Sequence, residues 1–424
     1  MLKINKVSFE KLAFYTFLLS TIFIITSSNN AINDWPFPWN QISITVACLL
    51  PVFLVIIAKA FHWLHEKEIQ PEIYFIPLII FLGILNVVFG ERLLPNFKGM
   101  GLFLLSGISV FAAAIFILKS YKAQTVLFWL YTIIIVILAI HAIFALWWHG
   151  SYKPLFSNNP IPESALITLL LTGPLILLDR QNNIKTRRIL VFCFLLGIAT
   201  ILILFQRAPI ISLFIIVLML GFLLINRFWI YFLCISVMVI VSLKIVDTFS
   251  DELPDKTQKV FQKVTKAPIY RAEMLTFAYH IIKKKPFFGT GLWVPLDNHL
   301  YDYNQKIFNA PYSAPNLFHS FVKAGHFGNT SFHNFVLCML VQMGGFLTLA
   351  YIGLLYLVFS KAFKSYKTNP KALLKLKLLM ILLTGFCIQS MAVDSLMYPD
   401  INFVFHSILG VLVNCNWETK EKVS

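Results

Sequence analysis

The chain has 424 residues, 58% of them hydrophobic and 13% charged, with a mean hydropathy of +0.77 and a formal net charge of +16. These values exclude an ordinary soluble globular domain. The apolar runs of 16–26 residues meet what ~30 Å of hydrocarbon demands of a helix, and they are continuously apolar where a barrel strand would alternate.

In chain order, spans are predicted near 12–28, 42–60, 72–90, 101–118, 124–147, 162–178, 189–206, 209–225, 228–246, 334–359, 373–392 and 401–416. These twelve define an all-α polytopic membrane protein with one large loop. Residues 1–246 hold nine spans, 247–332 form the loop, and 333–424 hold three more spans and a tail. The first span is read as retained, because small residues at a cleavage site are not clear and a multispanning body follows. With the amino terminus inside, twenty Lys and Arg fall in internal segments, and only Arg92, Lys98, Lys153 and Arg207 fall in short external links. That asymmetry puts both termini in the cytoplasm and the loop outside. The positive charge is therefore a topology device and a contact for anionic lipids, not a nucleic-acid footprint. Cys48, Cys193, Cys234, Cys338, Cys387 and Cys415 all fall within predicted spans, so they read as small buried apolar residues without disulfides.

Residues 1–160 read as scaffold, because their external links carry little polar equipment. Trp147, Trp148 and His149 mark an interface, where anchoring alone explains the tryptophans. Arg207 stands in the tight external turn Phe205-Gln206-Arg207-Ala208-Pro209. It either snorkels to the headgroups or presents its guanidinium fork to phosphate oxygens. Pro209 suits a first helical turn and would help fix its direction.

Within the loop, residues 247–268 carry lysines every three or four positions, as on a short solvated helix. A second helical pattern over 269–282 opens with Tyr270-Arg271-Ala272-Glu273. Arg271 and Glu273 are two positions apart and share no helix face, so Arg271 either pairs elsewhere or meets a ligand. Lys283-Lys284-Lys285-Pro286 ends that helix, and Phe287-Phe288-Gly289-Thr290-Gly291 follows. The glycines permit a tight turn or a close backbone approach, but the context is neither a dinucleotide fingerprint nor a phosphate loop. His299, Asp302, His319 and His326, with Asp297, match no ligand spacing, so no metal is expected. The many aromatic and amide groups there suit sugar recognition.

His333 stands where the loop re-enters apolar sequence. It is either an interfacial cap or a neutral imidazole able to take a proton near pH 7. Gly344-Gly345, deeper in the same predicted span, is expected to allow close helix packing. Asp394 or Asp400, flanking the last external link, would orient the imidazole or pair with an arginine.

The order of these motifs resembles the O-antigen ligase and polymerase superfamily of bacterial inner-membrane glycosyltransferases. The resemblance runs over roughly residues 200–350: Arg207 in a short external turn, the Arg271 segment, Pro286 to Gly291, and His333-Asn334-Phe335 leading to Gly344-Gly345. It implies about twelve helices with a partly helical periplasmic loop over the active site. The implied donor is a glycan on undecaprenyl pyrophosphate, held by Arg207 and Arg271, and His333 is implied to activate the acceptor hydroxyl. No cofactor or metal is implied. The residues around Arg207 depart from the small neighbours usual in the family.

Twelve spans, one large loop and no appended carboxy-terminal domain favour the ligase branch, whose acceptor is the lipid A-core oligosaccharide. A polymerase extending lipid-linked repeats is the near alternative. A protein O-oligosaccharyltransferase would be expected to carry a longer external carboxy-terminal portion. A secondary transporter or flippase would show two related halves and more ionisable groups within the bundle.

Overall fold

The computed structural model describes residues 6–27, 46–51, 71–149, 160–180, 183–204, 207–224, 274–292, 294, 296, 299, 334–368, 373–392 and 398–415, and among them every regular element is helical. An apolar run in lipid must satisfy its backbone internally, which a helix does within one segment. The helices are α1 (Lys6–Ser27), α2 (Pro71–Phe89), α3 (Leu93–Phe103), α4 (Val110–Ile117), α5 (Tyr121–His149), α6 (Pro160–Leu170), α7 (Thr172–Arg180), α8 (Ile184–Leu204) and α9 (Arg207–Leu224). After the loop come α10 (Phe335–Gln342), α11 (Gly344–Thr368), α12 (Leu373–Ala392) and α13 (Pro399–Cys415). A further helix covers residues 274–284.

Six rods among the described residues are long and apolar enough to cross a membrane, at Leu93–Ile117, Tyr121–Ala145, Pro162–Arg180, Ile184–Leu204, Gly344–Ser365 and Leu373–Ser390. Shorter apolar helices occur at Lys11–Thr26, Ile73–Phe89 and Ala208–Gly221. Twelve spans are compatible with this set. The span expected at 228–246 lies outside the described residues, and of the one expected at 42–60 only 46–51 are described, as helix.

Two boundaries differ from expectation. The fourth span begins at Leu93 instead of near 101, so the link before it shrinks to residues 90–92 and Lys98 lies within a helix. The run expected as one span over 334–359 is two helices, α10 and α11, divided at Met343 and Gly344.

The bundle is built around α13, which is buried from Pro399 to Asn414 and packs against α1, α4, α6, α11 and α12. Its buried polar groups have specific partners. A π-helical stretch, Leu104–Ser109, joins α3 to α4, and such a bulge disturbs the local carbonyl pairing. Asn402 Nδ2 donates to the Phe103 carbonyl and to Ser106 Oγ, each over 3.0 Å. His406 Nδ1 lies 2.8 Å from the Asn402 carbonyl, so that nitrogen carries the proton and Nε2 accepts from the Tyr351 hydroxyl at 3.2 Å. The imidazole is thereby satisfied as a neutral core group. By contrast, α8 is only 33% buried over its apolar window and presents Phe192 and Leu195 outward, as a lipid-facing helix does. Cys48, Cys193 and Cys338 are buried thiols and Cys387 is a half-buried one, none of these four in a disulfide.

Candidate functional site

The break between α10 and α11 organises the end of the bundle next to the loop. Every helix end leaves carbonyls or amides without intrahelical partners. Here those groups are met by the segment 286–291. The α10 carbonyls of Val341 and Gln342 accept from the amides of Thr290 and Gly291, each at 2.9 Å. The α11 amides of Gly345 and Phe346 donate to the carbonyls of Pro286 and Phe287, at 2.8 and 3.3 Å. Gly344 has φ +76°, and a Cβ there would lie 2.3 Å from the Phe287 carbonyl oxygen. Gly289 is likewise left-handed, at φ +67°, with a Cβ position 2.6 Å from the Gln342 carbonyl oxygen. Only glycine accepts that conformation at that proximity without strain. The Gly-Thr-Gly turn therefore closes on protein backbone, and Gly344 breaks the helix where close helix packing was expected.

A second set of contacts reaches this join from the α2–α3 connection. Asn86 Nδ2 donates to the carbonyls of Phe288 and Gln342, at 2.5 and 2.9 Å. The Glu91 amide donates to the Thr290 carbonyl at 2.9 Å. Asn96 Oδ1 accepts from the Leu292 amide at 2.7 Å, while Asn96 Nδ2 donates to the Asn86 carbonyl at 2.9 Å. Phe89, Phe287, Phe288 and Phe346 close around the join in a chain of ring contacts 4.8 to 5.7 Å between centroids. Beyond it, His299 Nε2 donates to Glu91 Oε1 at 2.6 Å, and Lys285 Nζ lies 3.8 Å from the same oxygen. Residues 1–160 thus supply four side chains to this end, Asn86, Phe89, Glu91 and Asn96, which revises their reading as plain scaffold. Nothing about their sequence neighbourhood is unusual except that Asn86 and Asn96 are amides inside apolar helices, the signal that could have found them.

Of Arg207, Arg271 and His333, the structure describes Arg207. Arg207 is the first residue of α9, where its backbone is described. Arg271 and His333 lie outside the described residues, as do Asp394, Asp302, His319 and His326. Asn334, next to His333 in the chain, caps α10, its side chain accepting from the Leu337 amide at 3.0 Å. The helix over 274–284 begins, as described, three residues after Arg271. Asp400 is buried in the first turn of α13.

The register between helices fixes the height of Arg207. Ser212 Oγ of α9 donates to the Gly385 carbonyl of α12 at 2.6 Å, and a Cβ on Gly385 would collide with Ile216. Arg180 and Lys375 both donate to Gln124, so α12 starts at the end where α8 starts, whereas α9 starts where α8 finishes; α9 and α12 therefore run antiparallel, in close contact. Moving five residues from Ser212 back to Arg207 rises ~7.5 Å, and four residues from Gly385 to Gln389 rises ~6 Å in the same direction. Arg207 and Gln389 therefore lie at one level. Across α12, Phe386 meets Phe405 of α13 at 5.1 Å between centroids, which brings the next turn of each helix to the level of Asp400 and Asn402.

Residues 192–352 match a family model described as O-antigen ligase. That stretch is therefore similar to the O-antigen ligase superfamily, which the match supports for this chain. The matched stretch begins in α8, takes in α9, the loop and α10, and ends in α11. Both glycine turns of the join and the amino terminus of α9 fall inside the O-antigen ligase match, whereas their partners Asn86, Glu91 and Asn96 come from outside it. A comparison with curated proteins finds no match. The match and the apolar helices together support a membrane protein of the O-antigen ligase or polymerase type, a glycosyltransferase-like class.

Proposed function

We propose that the protein is an O-antigen ligase, transferring a glycan from undecaprenyl pyrophosphate to a hydroxyl of lipid A-core oligosaccharide at the periplasmic face of the inner membrane. The observation that carries this reading is the O-antigen ligase match over 192–352, a stretch that contains Arg207, Arg271 and His333, to which the resemblance assigns the roles below. The join between residues 286–291 and the α10–α11 break supports it, because it ties the middle of the loop sequence to the helices that follow.

Pyrophosphate is a good leaving group, so the site needs to stabilise charge on it more than to protonate it. Arg207 and Arg271 would do so by charge-assisted hydrogen bonds to its oxygens. The acceptor hydroxyl is the weaker partner. His333 would take its proton as the acceptor oxygen bonds to the anomeric carbon. The carbon–oxygen bond to the pyrophosphate breaks with its electron pair leaving on the lipid pyrophosphate. Attack from the opposite side inverts the anomeric centre.

The test is product analysis with purified protein in lipid vesicles supplied with lipid-linked glycan and separate acceptors. A capped lipid A-core is expected; a longer lipid-linked chain would assign a polymerase, and a glycosylated protein an O-oligosaccharyltransferase. Gradient-dependent flux without a covalent product would sink the enzymatic reading in favour of a transporter or flippase. In the same assay His333→Ala should slow transfer by about a hundredfold or more, the range of a lost general base, with the protein still folded in the membrane. Full transfer by that variant would remove His333 from the mechanism.

A further inference from the structure

Gln389 is 1% exposed, and neither its amide nitrogen nor its amide oxygen has a hydrogen-bond partner among the described residues. Native interiors rarely keep a carboxamide in that condition, because an unpaired buried donor or acceptor is destabilising. Its position gives it something to do. Residues four apart lie on one face of a helix, so Gln389 shares the face of Gly385, the face that packs on α9. It sits one turn nearer the loop end than that contact, at the level of Arg207.

The group it meets there is the amino terminus of α9, an 18-residue helix. The first amides of a helix have no intrahelical acceptors and carry the positive end of its dipole, which suits an anion. Ala208 is buried with only 7% exposure, so this turn is held inside the bundle. Pro209 contributes no amide and favours the first-turn geometry. An unpaired carboxamide, an amino-terminal helical turn and the backbone of Arg207 therefore converge on one small region between α9 and α12.

We propose that Gln389 is a donor-binding residue, its side-chain amide donating to a non-bridging oxygen of a polyprenyl pyrophosphate seated at the amino terminus of α9. The assignment rests on the ligase reading for the identity of that anion. A neutral donor complements the arginines. It fixes the orientation of the pyrophosphate without adding charge that would hold the released lipid too tightly.

The test measures binding of undecaprenyl pyrophosphate to the full-length protein in detergent micelles, alongside transfer kinetics in vesicles, for wild type, Gln389→Leu, Gln389→Glu and Ser390→Ala. Leucine removes the donor at similar volume, and glutamate replaces it with a negative charge facing the phosphate. Both should weaken undecaprenyl pyrophosphate by about tenfold or more and raise the donor KM, with the acceptor KM unchanged. Gln389→Leu should melt at or above the wild-type temperature, since it deletes an unpaired amide. Ser390 lies on the α13-facing side of α12, one turn from Phe386, so its alanine variant should bind normally. Should the leucine variant fail to fold, Gln389→Met reads the same loss with an unbranched side chain. Wild-type affinity in both the apolar and the glutamate variants overturns the assignment while leaving the ligase reading intact. A wild-type protein that neither binds undecaprenyl pyrophosphate nor forms product overturns both.

Discussion

The carboxamide of Asn96 ties three segments together, accepting from Leu292 with its oxygen and donating to the Asn86 carbonyl with its nitrogen. The Asn86 carbonyl keeps the Gly90 amide if Asn96 is lost, but the buried Leu292 amide is left without its acceptor. Asn96→Leu should therefore destabilise the protein by about 1–3 kcal/mol, the usual cost of leaving such a group unpaired. The neighbouring Lys285–Glu91 contact is a different case. Its nitrogen and oxygen are 3.8 Å apart and the side chains are 43% and 23% exposed, so solvent screens the pair and the lysine's side-chain entropy opposes it. Lys285→Ala should cost less than about 1 kcal/mol. Thermal unfolding in detergent compares the two, and equal losses would show that the clamp is not the amide network.

At the scale of elements, the decisive device is a helix interrupted by a turn from ~50 residues earlier in the chain, a separation no local helix rule describes. Gly344→Ala forces a Cβ into the left-handed region and toward the Phe287 carbonyl, 2.3 Å away. Backbone strain alone costs on the order of 1–3 kcal/mol, and relief of the collision must open the join. Gly101, in α3, has nothing within 4 Å of its Cβ position, so Gly101→Ala should be neutral or gain about 1 kcal/mol of helix propensity. Limited proteolysis across 286–291 should accelerate in the first variant and stay unchanged in the second. Equal protection of both would mean that the join does not hold the loop.

The same element shows what sequence could and could not convey. Length and hydropathy placed α2, α5, the α6–α7 pair as one span, α8, α9, α12 and α13 close to their bounds, because those properties are local and lipid imposes them. They merged α10 with α11, because Met343, Gly344 and Gly345 interrupt neither apolarity nor length; only the pairing with residues 286–291 reveals the break. The end of the loop helix was legible in Lys283-Lys284-Lys285-Pro286, where proline stops it. Asn86 and Asn96 were passed over because a single amide in an apolar run carries no local motif, and their partners stand up to 256 residues away. Arg207 was placed at a helix start, as its turn implied, while Arg271 and His333 keep the roles that resemblance gives them.

The two ends of the whole bundle differ in chemistry, and that difference predicts its orientation. At the end away from the join, Arg180 donates to Gln124 Oε1 at 2.9 Å and Thr125 Oγ1 at 2.6 Å and stacks on Tyr121, 3.9 Å from the ring centroid. Lys375 donates to the same Gln124 oxygen. Lys185, Arg187 and Arg188 open α8, and Lys361, Lys364 and Lys367 close α11 at this end. At the opposite end stand Glu91, the 286–291 join and the buried Asp400. The positive-inside bias predicts that the first end faces the cytoplasm, and the proposed use of a lipid-linked periplasmic donor needs the second end outside. Exposed Arg92 and Lys367 sample the two ends. With the six native cysteines replaced, Arg92→Cys should react with a membrane-impermeant maleimide on intact spheroplasts. Lys367→Cys should react only after permeabilisation. The reverse pattern would turn the join, Arg207 and Gln389 toward the cytoplasm and end the case for a periplasmic ligase, whatever the family of the chain.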